Sequence, residues 1–338
     1  MTPRKPLPTL DDVARHAGVS TATVSRCLNN SASVRGDTRR RVTEAVEALG
    51  YTPHFGGRAL ASNRTNTIGA IIPTMENAIF ARGVQALQES LATAGVTLLV
   101  ASSGYDPDRE LKQVSAMLGR GVDGIMLIGD ARLQKTYDLL LARGVPYVLA
   151  WNFRSNSQHT WVGFNNRLAM RPLVESVLAQ GHTRIAMIAG ITSFNDRAVD
   201  RLAGARDAIE GAGLKLPAKL VIEAEYVPAA AGAALRKLMS RKSPPTAIIC
   251  GNDVLAAGAM REARALGLTL PGDLTIVGFD DIELASLVEP PLTTVHVPHR
   301  RMGQTVAKLL LAMRDQETVG QSVEFQTEIV ERGSVASV

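Results

Sequence analysis

Ten side chains recur at one kind of place, each just beyond a run of apolar residues. Phe80 follows Ile68–Ile72 and the loop Pro73–Asn77, Trp151 and Asn152 close Tyr147–Ala150, and Asn165 closes Trp161–Phe164. Further on, Asn195, Arg197 and Arg201 follow Ala189-Gly190, Tyr226 follows Leu220–Glu225, Asn252 follows Ala247–Cys250, and Asp280 follows Ile276–Phe279. An Arg fork, a carboxylate and several amides supply the donors and acceptors that a polar metabolite needs. Phe80, Trp151 and Tyr226 can stack on its apolar face. Asp253, next to Asn252, reads instead as a helix cap.

Little else in the chain could do covalent or metal chemistry. The six histidines (His16, His54, His159, His182, His296, His299) show no metal-ligand spacing; His296 and His299, three apart, fall at a strand end rather than on a helix. Cys27 and Cys250 are too few and too distant for a disulfide framework or a zinc site. No Walker A, H-E-x-x-H or G-x-S-x-G sequence is present. Gly119-Arg-Gly121-Val-Asp-Gly124 has dinucleotide spacing, but it closes a helical stretch and precedes a strand, the reverse of the order that cradles a pyrophosphate. The reading is therefore no catalytic residue, no metal and no cofactor. It leaves a nicotinamide-dependent oxidoreductase as the enzyme alternative, without its fingerprint.

The elements that must position the ten side chains are legible as apolar runs alternating with amphipathic stretches. The strands expected are Ile68–Ile72, Thr97–Ala101, Gly124–Ile128, Tyr147–Ala150 and Trp161–Phe164, then Arg184–Ala189, Leu220–Glu225, Ala247–Cys250, Leu274–Gly278 and Thr294–Val297. Helices are expected at 80–94, 108–119, 166–179, 199–210, 229–240 and 253–265, the third with Pro172 inside it; Arg301–Arg314 and a last strand, Val323–Ile329, complete the series. Apolar strands alternating with helices mean buried parallel sheets, here in two halves. Open α/β sheets bind ligands beyond the carboxyl ends of their strands, so two facing halves imply a shared cleft.

The first 65 residues differ. The 338-residue chain carries a formal charge of +5, and ten Lys/Arg against five acids place all of that excess in 1–65, leaving 27 of each sign beyond. A localised basic segment suits nucleic acid. Thr9-Leu-Asp-Asp12 is a capping box, Gly18 a helix stop, and Ser20 a cap for a helix at Thr21–Asn29. A third helix from Gly36 carries Val42, Ala45, Val46 and Leu49 on one face, with Gly50 as its stop. Two short helices joined by a tight Gly turn and backed by a third form a helix-turn-helix, whose second helix reads the major groove.

From Leu10-Asp-Asp-Val-Ala through Ala17-Gly-Val-Ser20 and Thr23-Val-Ser-Arg26 to Leu28-Asn29, followed by Thr38-Arg39 and Leu49-Gly-Tyr51-Thr-Pro53, the chain resembles the lactose-repressor (LacI/GalR) family of bacterial transcription regulators. The likeness runs on to Glu331-Arg332. It implies a periplasmic-binding-protein-like body of two doubly wound parallel-sheet subdomains, the chain crossing between them three times. It also places Thr21, Ala22 and Arg26 where base-reading side chains lie; a guanidinium can bond guanine O6 and N7 together. Thr9, Ser20, Thr23, Ser25 and Asn29 read as caps and phosphate contacts. The resemblance puts Leu60 at the wedge position of a hinge helix in the minor groove, although Gly56-Gly57 stand where helix formers are usual.

The domains expected are a headpiece at 8–52, a hinge at 53–65, and an effector and dimerisation body at 66–332, split as 66–163 with 296–320 and 164–295 with 321–332. By the same resemblance, Arg201 and Asp280 match effector-bonding positions. The usual acid is missing at Trp151, and Asn165 stands where Asp is common, so that Arg197 and Arg201 lean toward an anionic effector such as a sugar acid or sugar phosphate. The function expected is an operator-binding homodimeric regulator, more a repressor than an activator, under a small polar effector. A plain sugar-binding protein is the second alternative. No run approaches the roughly 18 apolar residues of a membrane span, and Met1–Pro8 has no apolar stretch behind its charge, so a cytoplasmic protein is expected.

Overall fold

A computed structural model describes residues 7–29, 34–52, 64–76, 78–317 and 320–338. The chain forms two compact units, Met1–Thr65 and Asn66–Val338.

The first unit holds α1 (Leu10–Ala17), α2 (Thr21–Asn29) and α3 (Gly36–Leu49). Thr9 Oγ1 accepts from the Asp12 N–H at 3.3 Å, and Asp12 Oδ2 accepts from the Thr9 N–H at 2.9 Å, so two orphan donors are met at once. Gly18 takes φ 64°, a left-handed position that costs glycine least, and turns the chain into α2. Ser20 Oγ then accepts from the Thr23 N–H at 3.2 Å. Val13, Ala14, Ala17, Val24, Cys27, Val42, Ala45 and Tyr51 form the small core; Cys27 serves there as a small apolar side chain.

The second unit is built on two sheets. The first is all parallel, in the order β11-β5-β4-β3-β1-β2. Its strands are β1 (Thr67–Ile72), β2 (Thr97–Ser102), β3 (Gly124–Ile128), β4 (Tyr147–Ala150), β5 (Trp161–Gly163) and β11 (Val323–Glu324). The second, also parallel, runs β7-β6-β8-β9, with β6 (Ile185–Gly190), β7 (Val221–Ala224), β8 (Ala247–Cys250) and β9 (Thr275–Val277). Every residue of β1, β3, β6 and β8 is buried, as continuous apolar strands covered by helices on both faces must be.

The helices of this unit are α4 (Ala78–Thr93), α5 (Pro107–Gly119), α6 (Gln134–Arg143), α7 (Asn166–Ala179), α8 (Asp196–Gly211), α9 (Pro228–Met239), α10 (Asp253–Ala265), the short α11 (Glu283–Leu287) and α12 (His299–Arg314). α12 packs on α4 and on β3–β5, whereas α7 packs on α8. The chain therefore passes between the halves after β5, after β10 (Thr294–His296), and between β11 and β12 (Glu328–Val330).

Two expectations change here. Val323–Ile329 is not one strand: Val323–Glu324 pairs with β5, Phe325–Thr327 crosses over, and Glu328–Val330 pairs antiparallel with β10. The first part of 321–332 thus joins the first half rather than the second. The helix α6 carries no side-chain cap at Leu133, which leaves no sequence signal at its start. Pro172 sits on the exposed side of α7, where water can solvate the Leu168 carbonyl that loses its partner.

Candidate functional site

On the headpiece, Ala22 and Arg26 lie four residues apart on α2 and both are exposed, while Thr21, Thr23 and Ser25 are half-buried and Ser20 is exposed. One face of the helix N-terminus and the Arg26 guanidinium are therefore free to meet a groove. Thr9 and Ser20 act as caps. Arg39, Arg40 and Arg41 are exposed along α3, with Arg40 held by Asp37 at 3.2 Å. Leu60, Gly56-Gly57 and the side chain of Asn29 lie outside the described residues.

In the body, the strand-end side chains meet across the halves. Asn152 is fully buried; its Nδ2 donates to Asp196 Oδ2 and to Asp200 Oδ2, each at 2.8 Å. Its Oδ1 accepts from the Phe153 N–H at 2.9 Å and from Asn166 Nδ2 at 3.2 Å. Arg154 pairs with Asp200 at 2.7 Å and with Asp130 at 3.3 Å. The Asp130 N–H donates to Asp196 Oδ2 at 3.1 Å. Burial and the neighbouring Asp196 push Asp130 up to about 6. Burial opposes ionisation of Asp196 as well, but Arg197 and the bonds from Asn152 and Asp130 outweigh it and hold Asp196 low. Of the two, Asp130 is the carboxyl that takes up a proton first as the pH falls through about 6, while Asp196 stays charged.

Arg197, at the start of α8, pairs with Asp196 at 2.7 Å and lies beside the Tyr105 hydroxyl. Asn195 caps α8 and donates to the Tyr226 hydroxyl at 3.2 Å, and the Tyr105 and Tyr226 rings stand 6.0 Å apart. Ser103, Tyr105, Glu110, Ile128, Phe194 and Arg197 surround a narrow cavity here of about 20 Å³, room for a single water.

Deeper in the second half, Arg201 is fully engaged. It donates to Asn166 Oδ1 at 2.8 Å, to the Gly251 carbonyl at 2.8 Å and to Asp280 Oδ1 at 3.1 Å, and its guanidinium lies 3.8 Å over the Phe279 ring. Burial raises Asp280 to about 6 despite Arg201. Asp280 Oδ2 and Asn252 Nδ2 are buried without a partner, an acceptor and a donor at the carboxyl ends of neighbouring strands. Such atoms are rare in native interiors, where buried polar groups are paired.

Two of the ten, Phe80 and Trp151, lie away from the cleft, and two more, Asn165 and Asn252, cap helices through their Oδ1 atoms. Trp151 and Phe80 do not face the cleft: both are buried in the first half, edge to face at 5.7 Å, and a side chain at Gly83 would overlap the indole. Trp151 adopts φ 63°. Asn165 caps α7 through the Leu168 N–H at 3.0 Å. Asn252 caps α10 through the Leu255 N–H at 2.9 Å, so the capping role read for Asp253 belongs to its neighbour. Asp253 instead accepts from Thr294 Oγ1 at 2.6 Å and from the Ile282 N–H at 2.8 Å. The anionic lean also loses its ground, because Arg197 and Arg201 each face a carboxylate.

The sequence reading missed Tyr105, Asp130, Asn166, Asp196 and Asp200. Tyr105 follows β2 by the same strand-end rule that picked out the others, and Asp196 stands between two residues already chosen.

No helix among the described residues is long and apolar enough to cross a membrane, and no three His, Cys, Asp or Glu side chains among them gather as metal ligands. A helix-turn-helix with an exposed arginine and a two-sheet body with a polar cleft define a DNA-binding regulator under small-molecule control, not an enzyme. Residues 9–54 match the bacterial regulatory proteins of the lacI family, and 174–335 match a periplasmic binding protein-like domain. The chain is 33% identical over 315 residues to catabolite control protein A of Priestia megaterium, covering 93% of this chain and 95% of that protein. Its fold is similar to a complex of the transcriptional regulator CelR with cellobiose (30% identity, TM-score 0.72, 97% and 99% covered). It is also similar to the lac repressor dimer bound to operator and the anti-inducer ONPF (27% identity, TM-score 0.85, 98% and 100% covered). The chain belongs to the lacI family of bacterial transcriptional regulators.

Proposed function

We propose that this regulator is a cytoplasmic repressor that binds a pseudo-palindromic operator as a homodimer and is controlled by a small polar effector in the cleft between the two halves of its body. The observation that carries the effector reading is the pair of buried, partnerless atoms Asp280 Oδ2 and Asn252 Nδ2, set beside the network joining Asn152 and Asp130 to Asp196 and Asp200. An effector rich in hydroxyls satisfies both orphans and replaces the cross-cleft bonds. A strong anion gains less, since the arginines are already neutralised. Tyr105, Tyr226 and Phe194, rather than Trp151 and Phe80, offer it ring faces.

Thr21, Ala22 and Arg26 read bases, and Leu60 wedges the minor groove. Binding-site selection tests the DNA half. Arg26→Ala costs about 1–3 kcal/mol and relaxes one base position per half-site, whereas Arg39→Ala weakens all sequences alike. An unchanged selected motif for Arg26→Ala overturns the assignment. A thermal-shift screen of neutral sugars, sugar acids and sugar phosphates tests the effector half, with Arg201→Ala expected to abolish the shift.

A further inference from the structure

Every basic side chain in the cleft named above has a carboxylate beside it, and so do Arg132, Arg236, Arg300 and Arg332 elsewhere in the body. One place gathers several basic side chains that lack such a partner. Arg184, Lys215, Lys219, Arg241 and Lys242 line a single groove with Thr183, Ser243 and the apolar Pro217, Leu220 and Pro245, and no acid lines it. Among the described residues no carboxylate stands within ion-pair distance of any of the five. Three of the chain's eight lysines are gathered here.

The groove is built from three loops. Thr183-Arg184 leads into β6, 215–220 leads into β7, and 241–245 leads into β8, so it lies at the amino ends of strands whose carboxyl ends face the cleft. It encloses about 630 Å³, the scale of a small-molecule site. Two of its cations are fixed in place: Arg184 Nε donates to the Pro244 carbonyl at 3.2 Å, and Arg241 donates to the Lys219 carbonyl. Arg241 Nε is buried with no partner. The three lysines are exposed. Holding five like charges together without acids costs repulsion, which a multiply charged anion removes.

We propose that this groove is a second ligand site, remote from the effector cleft, for a small molecule bearing two or three phosphate groups. Each phosphate group carries about −1.5 to −2 charges, so two or three of them neutralise five cations inside the available space. Carboxylates carry one charge each, and an acidic peptide would have to crowd five into the same hollow. The phosphates meet Lys215, Lys219 and Lys242, with Thr183 and Ser243 donating hydroxyl hydrogens, while Pro217, Leu220 and Pro245 cover the apolar part of the molecule.

The test is calorimetric titration of the full chain with inorganic tripolyphosphate at a fixed ionic strength near 0.15 M. Saturable binding is expected, one per protomer, weakened at least tenfold in Lys215→Ala/Lys219→Ala/Lys242→Ala, whose exposed substitutions leave both loop-anchoring arginines in place. Lys242→Glu alone weakens it severalfold, and Arg197→Ala in the cleft leaves it unchanged. Three results overturn the proposal: no saturable binding by 1 mM ligand, equal affinity in the triple variant, or tighter lysine-dependent binding of hexaglutamate, which assigns the groove to an acidic protein segment.

Discussion

Trp151 donates its indole N–H to Nδ1 of His299 at 3.1 Å, although 148 residues separate them, and Nε2 of the same imidazole reaches the Asp280 carbonyl oxygen at 3.3 Å. These bonds require the neutral tautomer with its hydrogen on Nε2. Burial holds His299 neutral by pushing its pKa down to about 3. The imidazole opens α12 just past a crossing between the halves, so it ties the end of β4 to the loop beyond β9. The Trp151 ring, turned away from the cleft, works as an anchor for that tie.

His299→Ala is therefore expected to destabilise the body by about 2–4 kcal/mol, through a cavity and an unpaired buried indole N–H. Trp151→Phe, which removes the donor and keeps an aromatic ring, is expected to cost about 1–2 kcal/mol. Urea unfolding of both single variants and the double variant checks this. A double-variant loss equal to the sum of the two singles shows the residues to be uncoupled.

Much of this arrangement was readable from residue pattern, and the remainder has identifiable causes. α7 and α10 were legible to the residue because their apolar faces repeat at helical spacing just past a strand, although the cap of α10 is Asn252 rather than the Asp253 that was read there. The split of Val323–Ile329 was not, because nothing local in that stretch marks the place where a strand leaves one sheet for another. The Arg201–Asp280 pair was reachable through motif resemblance. The partners Asn166, Asp130 and Asp200 were not, since their roles depend on the contact between the two halves. Trp151 was misplaced because strand-end position does not set the direction of a ring.

Asp253 gives a pH prediction. Burial and the nearby Asp280 raise it to about 8, well above the ordinary 3.8. A carboxyl that holds its proton more tightly folded than unfolded contributes stability that is full below 3.8 and is lost as pH rises through 8. Asp253→Asn stays neutral and can still accept from the Ile282 N–H and donate to Thr294 Oγ1. The variant is expected to match the wild type in Tm near pH 3.5 and to exceed it by a margin that widens from about pH 4 to 8 and is constant above that. Parallel Tm curves across that range contradict the shifted titration of Asp253.

The cleft contact yields the last prediction, with the Asp130 amide as its reporter. That N–H lies just past β3 in the first half and donates to Asp196 on α8 in the second, so it is protected only while the halves touch. Asn152 reinforces the touch by donating to both Asp196 and Asp200, and Asn152→Ala removes both bonds without altering either sheet. Losing about 1.4 kcal/mol of contact raises the population of the parted state tenfold, a modest figure for two hydrogen bonds to carboxylates. Amide exchange at Asp130 is accordingly expected to quicken about tenfold or more in Asn152→Ala, while Met126 inside β3 exchanges at its original rate. The same shift must appear in effector affinity: an effector that binds the joined halves is weakened by that factor, and one that binds the parted halves is strengthened by it. Asp130 exchange that is unchanged in Asn152→Ala, or that rises together with Met126, shows that these bonds do not hold the cleft closed.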